Sequence, residues 1–224
     1  MWSMRRHFFR RSSVIRVIRS KEVSESLQPS LNSDELETLV SAVRQGETEK
    51  YEPIVRAFQQ PIFRYCYRLF ANRQDAEDAV QDILVKAYRS LGQYRRADNF
   101  QAWLYRIAYR HCLNVLRRRR IHRQVMKMLR PETVTAGPEQ ELDDRLYHPS
   151  LARALAELSP RERSLLILRA FEEKSFAELG HIMQTSPNAL VKRMQRIKQK
   201  VRTSMKSKED MPWNDSKHPM NTEV

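Results

Sequence analysis

Glycine, cysteine and long apolar runs are all scarce in this chain of 224 residues. Four glycines supply neither a Rossmann fingerprint nor the turns of an extensive sheet, and neither G-x-G-x-x-G nor G-x-x-x-x-G-K-[ST] occurs. Nucleotide-driven chemistry of those two kinds is therefore excluded. Two isolated cysteines, Cys66 and Cys112, build no disulfide framework and no Cys-based zinc site. That usage points to a reducing cytosol. No apolar stretch approaches the ~20 residues that a membrane-spanning helix needs. The six histidines (His7, His111, His122, His148, His181, His218) show no metal-ligand spacing, and no nucleophile–base pair stands out. The expectation is a non-enzyme with no metal and no cofactor.

What the chain has in excess is positive charge: 41 Lys and Arg against 27 Asp and Glu, net +14. The excess lies in blocks. Residues 1–33 carry net +5, 34–120 net +5, 121–149 net −1, 150–206 net +7 and 207–224 net −2. Two basic bodies on a slightly acidic connector suit a polyanionic partner gripped in two places. The leader 1–33 reads as a basic, disordered extension, superficially similar to a presequence; a start codon placed too far upstream is the alternative. The tail 207–224 lacks periodicity and reads as disordered.

The first body reads as helices. Leu36, Leu39, Val40 and Val43 share one helical face, with Ser33 as the expected N-cap. Ile54, Val55, Phe58, Ile62, Phe63, Cys66, Leu69 and Phe70 continue the pattern. Pro61 is expected near a helix start or at a kink. The segment 75–91 (DAEDAVQDILVKAYRSL) has an apolar stripe and four carboxylates, Asp75, Glu77, Asp78 and Asp82, with no cation among them. Carboxylates on successive turns of one helix do not converge on one ion, so a metal site is set aside. A docking face for a basic partner and a solvated helix face both remain open. After the loop 92–99, FQAWLYRIAYRHCLNVLRRRR (100–120) interleaves Arg106, Arg110, Asn114, Arg117 and Arg118 with aromatics, as phosphate grip and base stacking require. Trp103 taken alone reads as a core anchor, and the arginines 117–120 as phosphate contacts.

Residues 130–149, with three prolines, read as a linker. The second body opens with Leu151, Leu155 and Leu158. Two capping boxes follow, Ser159 to Glu162 and Ser175 to Glu178. A tight turn at Gln184-Thr185 and a capped basic helix from Pro187 complete a helix-turn-helix pattern. Gly180 falls where the two helices cross. Asn188, Lys192, Arg193 and Arg196 lie where a recognition helix meets the major groove. A generic basic three-helix bundle is the alternative.

These three stretches, in this order, resemble the bacterial extracytoplasmic-function (group four) sigma factors of RNA polymerase: DAEDAVQDILVKAYRSL, FQAWLYRIAYRHCLNVLRRRR, and ALAELSPRERSLLILRAFEEKSFAELGHIM with the basic helix after it. The resemblance spans roughly residues 34–205. It implies an all-α fold of two small domains on a flexible linker, the second a helix-turn-helix domain. Domain 2 (34–120) would bind the β′ clamp helices of core polymerase and melt the −10 element. Domain 4 (150–206) would read the −35 element and rest on the β flap, with 121–149 as linker. Carried over by position, Asp75, Glu77, Asp78, Gln81 and Asp82 form the core-binding face. The −10 contacts are Arg95, Arg96, Asn99, Phe100, Trp103, Arg106, Arg110, Asn114, Arg117 and Arg118, and the −35 contacts are Asn188, Lys192, Arg193 and Arg196. Where such proteins commonly carry Thr-Val-Lys-Ser-Arg, this chain has Ala189-Leu190-Val191-Lys192-Arg193, which keeps the arginine and loses the hydroxyls. The resemblance also implies an anti-sigma partner and a cytoplasmic location in bacteria, with no membrane insertion of the chain's own. A free protein of this kind is expected to hide its DNA grips until polymerase spreads the domains. The rival is a stand-alone helix-turn-helix regulator, which has no use for the acidic helix.

Overall fold

The computed structural model describes residues 31–95, 99–129 and 149–206, and all the regular elements there are helical. Helix α1 (Ser33–Arg44) is capped one residue earlier than expected. Asn32 accepts from the Glu35 amide at 2.8 Å, and the Glu35 carboxylate accepts from the Asn32 amide at 3.1 Å. A 3₁₀ turn (Thr48–Lys50) leads into α2 (Tyr51–Phe70). Pro61 lies in the interior of α2 and does not start it, because the apolar face of α2 is buried on both sides of the proline. One missing amide donor is outweighed by that continuous packing.

Helix α3 (Arg73–Ser90) starts under an Asn72 cap that accepts from the Asp75 amide at 3.0 Å. Ala76, Ala79, Val80, Ile83, Leu84 and Ala87 are its buried stripe, packed mainly on α2. Tyr51 Oη donates to the Leu84 carbonyl at 2.8 Å and locks the two helices together. A 3₁₀ turn (Leu91–Gln93) precedes α4 (Phe100–Leu129). This helix runs past the boundary expected at residue 120, so the first part of the expected linker is helical. Ile121, Val125, Met126 and Met128 on that extension are exposed.

Helices α5 (Pro149–Ala156), α6 (Pro160–Ala170), α7 (Phe176–Met183) and α8 (Pro187–Lys206) form the second body. Both expected capping boxes are present, at Ser159 with Glu162 and at Ser175 with Glu178. Buried Arg163 donates through Nε to the Leu155 carbonyl at 3.1 Å, tying the end of α5 to α6. The α7–α8 turn passes through Gln184 at φ 51°, and Ser186 accepts from the Ala189 amide at 3.4 Å. A Cβ built on Gly180 would sit 3.2 Å from the Thr185 carbonyl oxygen, which is why the crossing needs glycine. The leader 1–30, the residues 96–98, the linker 130–148 and the tail 207–224 lie outside the described residues.

The two bodies share one hydrophobic core. It runs from Leu36 and Ile54 through Leu104 and Cys112 to Leu165, Leu179 and Ile197. Helix α7 packs along α4, and α6 packs on α2.

Candidate polymerase and DNA-binding surfaces

The acidic residues of α3 fall into two groups, ion-paired and exposed. Asp75 is ion-paired with Arg119, whose guanidinium also stands 5.3 Å from the centre of the Phe70 ring. Glu77 accepts from Arg73 Nε at 3.0 Å, one helical turn away. These two carboxylates and Arg119 are engaged within domain 2. Asp78 and Asp82 are exposed, with Gln81 half-buried between them. They are four residues apart and therefore share one side of the helix. Next to this edge, Lys86 Nζ lies 2.5 Å from Nδ1 of buried His111. Burial, then Lys86, depress the His111 pKa; Asp82 opposes and Arg118 reinforces the depression.

The segment before α4 is held by aromatic rings. Tyr94, Phe100 and Trp103 pack edge-on or tilted with centroid separations of 5.3–5.4 Å, and Phe58 closes on Phe100 at 5.6 Å. Tyr94 Oη donates to Glu37. Phe100 and Trp103 are only 3% and 5% exposed, so neither presents a surface ring in this arrangement. Asn99 caps α4, accepting from the Ala102 amide at 3.2 Å. Its side chain is thus engaged in holding the helix start. Arg95 is exposed; Arg96 lies outside the described residues. Arg110, Asn114, Arg117 and Arg118 are exposed along α4, and Arg106 is half-buried.

On α8, Asn188, Lys192 and Arg196 are exposed. Arg193 is half-buried, and its charge together with that of Arg161 acts on Tyr109 of α4. The start of α8 therefore lies close to α4. The contact between the bodies is specific. Tyr65 Oη of α2 and Ser164 Oγ of α6, both fully buried, are 2.8 Å apart. The Glu172 carboxylate, 5% exposed, accepts from Arg68 at 2.9 Å and from Tyr105 Oη at 2.8 Å. Lys174 Nζ stands 4.8 Å from the centre of the Tyr105 ring, and Arg68 stands 4.7 Å from that of Phe171. Glu173 at φ 52° turns the chain between Glu172 and Lys174. Arg110 donates to the side chain of Gln184 in the helix-turn-helix turn. His181 of α7 meets Asn99, Ala102, Trp103 and Arg106 at a narrow crevice.

Asn99, Trp103, Arg106 and Arg110 of the proposed −10 face thus adjoin the helix-turn-helix element. Glu172, Tyr65, Ser164, Arg68 and Lys174 were not legible as partners. The run Glu172-Glu173-Lys174 has the composition of a solvated turn, and its partners lie far away in sequence.

Comparison with known proteins agrees with this division. Residues 54–121 match the sigma-70 region 2 model, and residues 149–201 match the sigma-70 region 4 model. The RNA polymerase sigma factor YlaC of Bacillus subtilis is 29% identical over 167 residues, covering 72% of this chain and 96% of the relative. The ECF RNA polymerase sigma factor SigE of Mycolicibacterium smegmatis is 29% identical over 165 residues, 70% of this chain and 62% of that protein. The fold is similar to that of CnrH, solved in complex with the cytosolic domain of CnrY, with a TM-score of 0.58 at 20% identity over 79% of this chain and 99% of that one. It is also similar to the sigma factor RpoE solved with the anti-sigma factor NepR from Bartonella quintana, with a TM-score of 0.53 at 22% identity over 72% and 98% of the two chains. No helix among the described residues is long and apolar enough to cross a membrane. With both domains matched in order and the same names recurring among its relatives, the chain belongs to the extracytoplasmic-function sigma factors of RNA polymerase.

Proposed function

We propose that this alternative sigma factor docks on core polymerase through Asp78, Gln81 and Asp82, and positions promoter DNA with α4 and α8 after its two domains separate. The observation that carries the reading is the exposed carboxylate edge of α3 on a chain of net +14. A basic DNA-binding module gains nothing from such an edge, whereas a subunit that must also grip a protein does. The β′ clamp helices and the β flap are the expected polymerase contacts of the two domains. Asp75 and Glu77 support the edge from within through Arg119 and Arg73.

Separation of the domains would uncover Arg106 on α4, release Arg110 from Gln184 and free Arg193 near the start of α8. Opening DNA costs about 1.4 kcal/mol per stacked step. Stacking an unpaired base on an aromatic ring recovers about 1–3 kcal/mol. Captured bases can therefore offset −10 melting without catalysis or cofactor. Tethering makes the second DNA contact intramolecular once the first has formed. An anti-sigma protein is a natural further partner, since both solved relatives described above were captured with another protein bound, one of them named as such. The cytoplasm, where core polymerase works, is the corresponding location.

The test is recovery of core polymerase by tagged wild type and by Asp78→Arg. Asp78 is exposed, so the variant should fold normally and lose most of the recovered core enzyme. Equal recovery would remove the α3 edge from the polymerase contact. In parallel, Arg193→Ala with Arg196→Ala should abolish −35-dependent transcription in vitro and leave core binding intact.

A further inference from the structure

The chain's two cysteines are 46 positions apart in sequence, yet their sulfurs touch. Cys66 Sγ on α2 and Cys112 Sγ on α4 are 3.6 Å apart, and both residues are fully buried. They lie one layer beneath the seat of domain 4. Tyr65, next to Cys66, is the residue that bonds Ser164. Tyr105, Tyr109 and Cys112 follow one another along a single face of α4 at helical spacing. Tyr105 donates to Glu172 of domain 4. Two thiols in contact need only ~0.8 Å of movement each to reach the ~2.05 Å of a disulfide. No metal, ligand or catalytic role already described uses them.

We infer that Cys66 and Cys112 are a reversible oxidation site, closed while domain 4 is seated on domain 2 and opened when it leaves. The balanced step takes a hydroperoxide as oxidant. One cysteine gives up its proton and, as thiolate, attacks one oxygen of hydrogen peroxide; the O–O bond breaks, the leaving hydroxide takes up that proton, and a sulfenic acid and one water form. The second sulfur attacks the sulfenic sulfur; the S–S bond forms, and the hydroxyl leaves as a second water. Overall, two thiols and one hydrogen peroxide give one disulfide and two waters. A dithiol reductant reverses it.

Domain 4 controls the first step in two ways. Its seat helps exclude water and peroxide from the pair. Burial, then Cys112 and the Glu172 carboxylate, push the Cys66 thiol well up, and the thiolate is the reactive form. When domain 4 departs, Glu172 goes with it. The same pair is therefore inert in the closed form and more reactive in the open one. The bond formed would tie α4 to α2, a cross-link within domain 2 itself.

The experiment treats the full reduced chain with a small excess of hydrogen peroxide. The reaction is then quenched with N-ethylmaleimide under denaturing conditions and analysed by intact mass. Wild type should oxidise slowly, losing 2 hydrogens (about 2 Da) and both maleimide adducts, with recovery after dithiothreitol. Glu172→Ala, which loosens the seat without touching either cysteine, should form the same product at least about tenfold faster. Cys66→Ser and Cys112→Ser should give no disulfide within the chain and should accumulate oxygen adducts on the remaining sulfur. Two fully alkylated cysteines in wild type and Glu172→Ala alike would reduce the pair to two small core side chains and overturn the site. Disulfide formation at equal rates in the two proteins would overturn the control by domain 4. Circular dichroism of Glu172→Ala, matching wild type before oxidation, excludes unfolding as the source of faster reaction.

Discussion

At the scale of single residues, several charged groups expected at the surface serve to hold the structure. Arg119 belongs to a run of four arginines that reads as a phosphate grip, but it is tied to Asp75 and lies over Phe70. Arg117 and Arg118 beside it stay exposed. Spacing alone does not separate the three, because the difference depends on which helix lies opposite. His111 gives a testable consequence. Its pKa is depressed in the folded chain, first by burial and then by Lys86. The unfolded chain therefore binds the proton more readily. His111's contribution is complete above the unfolded value of about 6.5 and is lost as the pH falls through the lower folded value. Urea midpoints at pH 7.5 and 5.5 should fall more for wild type than for His111→Gln, which keeps a polar side chain facing Lys86 and does not titrate. Identical falls would assign the acid sensitivity to other groups.

At the scale of elements, the sequence pattern located the helices well and their ends less well. Capping boxes at Ser159 and Ser175 and the turn before Pro187 were legible because each is set by residues three or four apart. The start of α1 differed by one residue because Asn32 and Ser33 are both good caps, and Asn32 is the one whose side-chain Oδ1 accepts from the Glu35 amide. Pro61 misled for a different reason: tertiary burial on both sides of it outweighs the local cost. Gly180, by contrast, was read correctly as the close approach between α7 and α8. Replacing it by alanine gains about 1 kcal/mol of helix propensity, but forces a methyl 3.2 Å from a backbone carbonyl that is fixed by the turn. Overpacking of that kind costs about 1–3 kcal/mol. Gly180→Ala should therefore lower the melting temperature, or at best leave it unchanged, and should weaken binding to −35 duplex DNA by shifting α8. An unchanged duplex affinity together with a raised melting temperature would show that the turn can give way.

At the scale of the whole molecule, a closed packing of the two domains is expected for a free protein of this kind, but the contacts that make it are not visible in the sequence. The candidate residues on α3, α4 and α8 were chosen from local motifs, but the partners that pack against them leave no such motif. Tyr65 meets Ser164 across 99 positions of sequence and Arg68 meets Glu172 across 104, and neither pair leaves a periodic trace. The packing bears on what the free protein can do. In this arrangement Arg110 is engaged by Gln184, and Trp103 and Arg106 adjoin His181, so the first half of α4 is not free to track a DNA backbone, while Asn114, Arg117 and Arg118 stay exposed. The Glu172 carboxylate, buried and holding two donors from two helices of domain 2, is the contact whose loss should favour opening most. Breaking such a charge-assisted pair costs about 1–3 kcal/mol, a shift of about 5- to 150-fold in the balance between closed and open forms. Glu172→Ala should accordingly increase the radius of gyration measured by X-ray scattering. It should also raise the affinity of the isolated chain for a single-stranded −10 oligonucleotide several-fold. The edge proposed for core binding, Asp78 and Asp82, lies on α3, away from this seat, so polymerase recovery should be no lower than for wild type. A larger radius without a gain in oligonucleotide affinity would mean that the domains part without freeing α4. A gain in affinity at unchanged radius would instead trace the effect to the lost negative charge of Glu172 near the DNA.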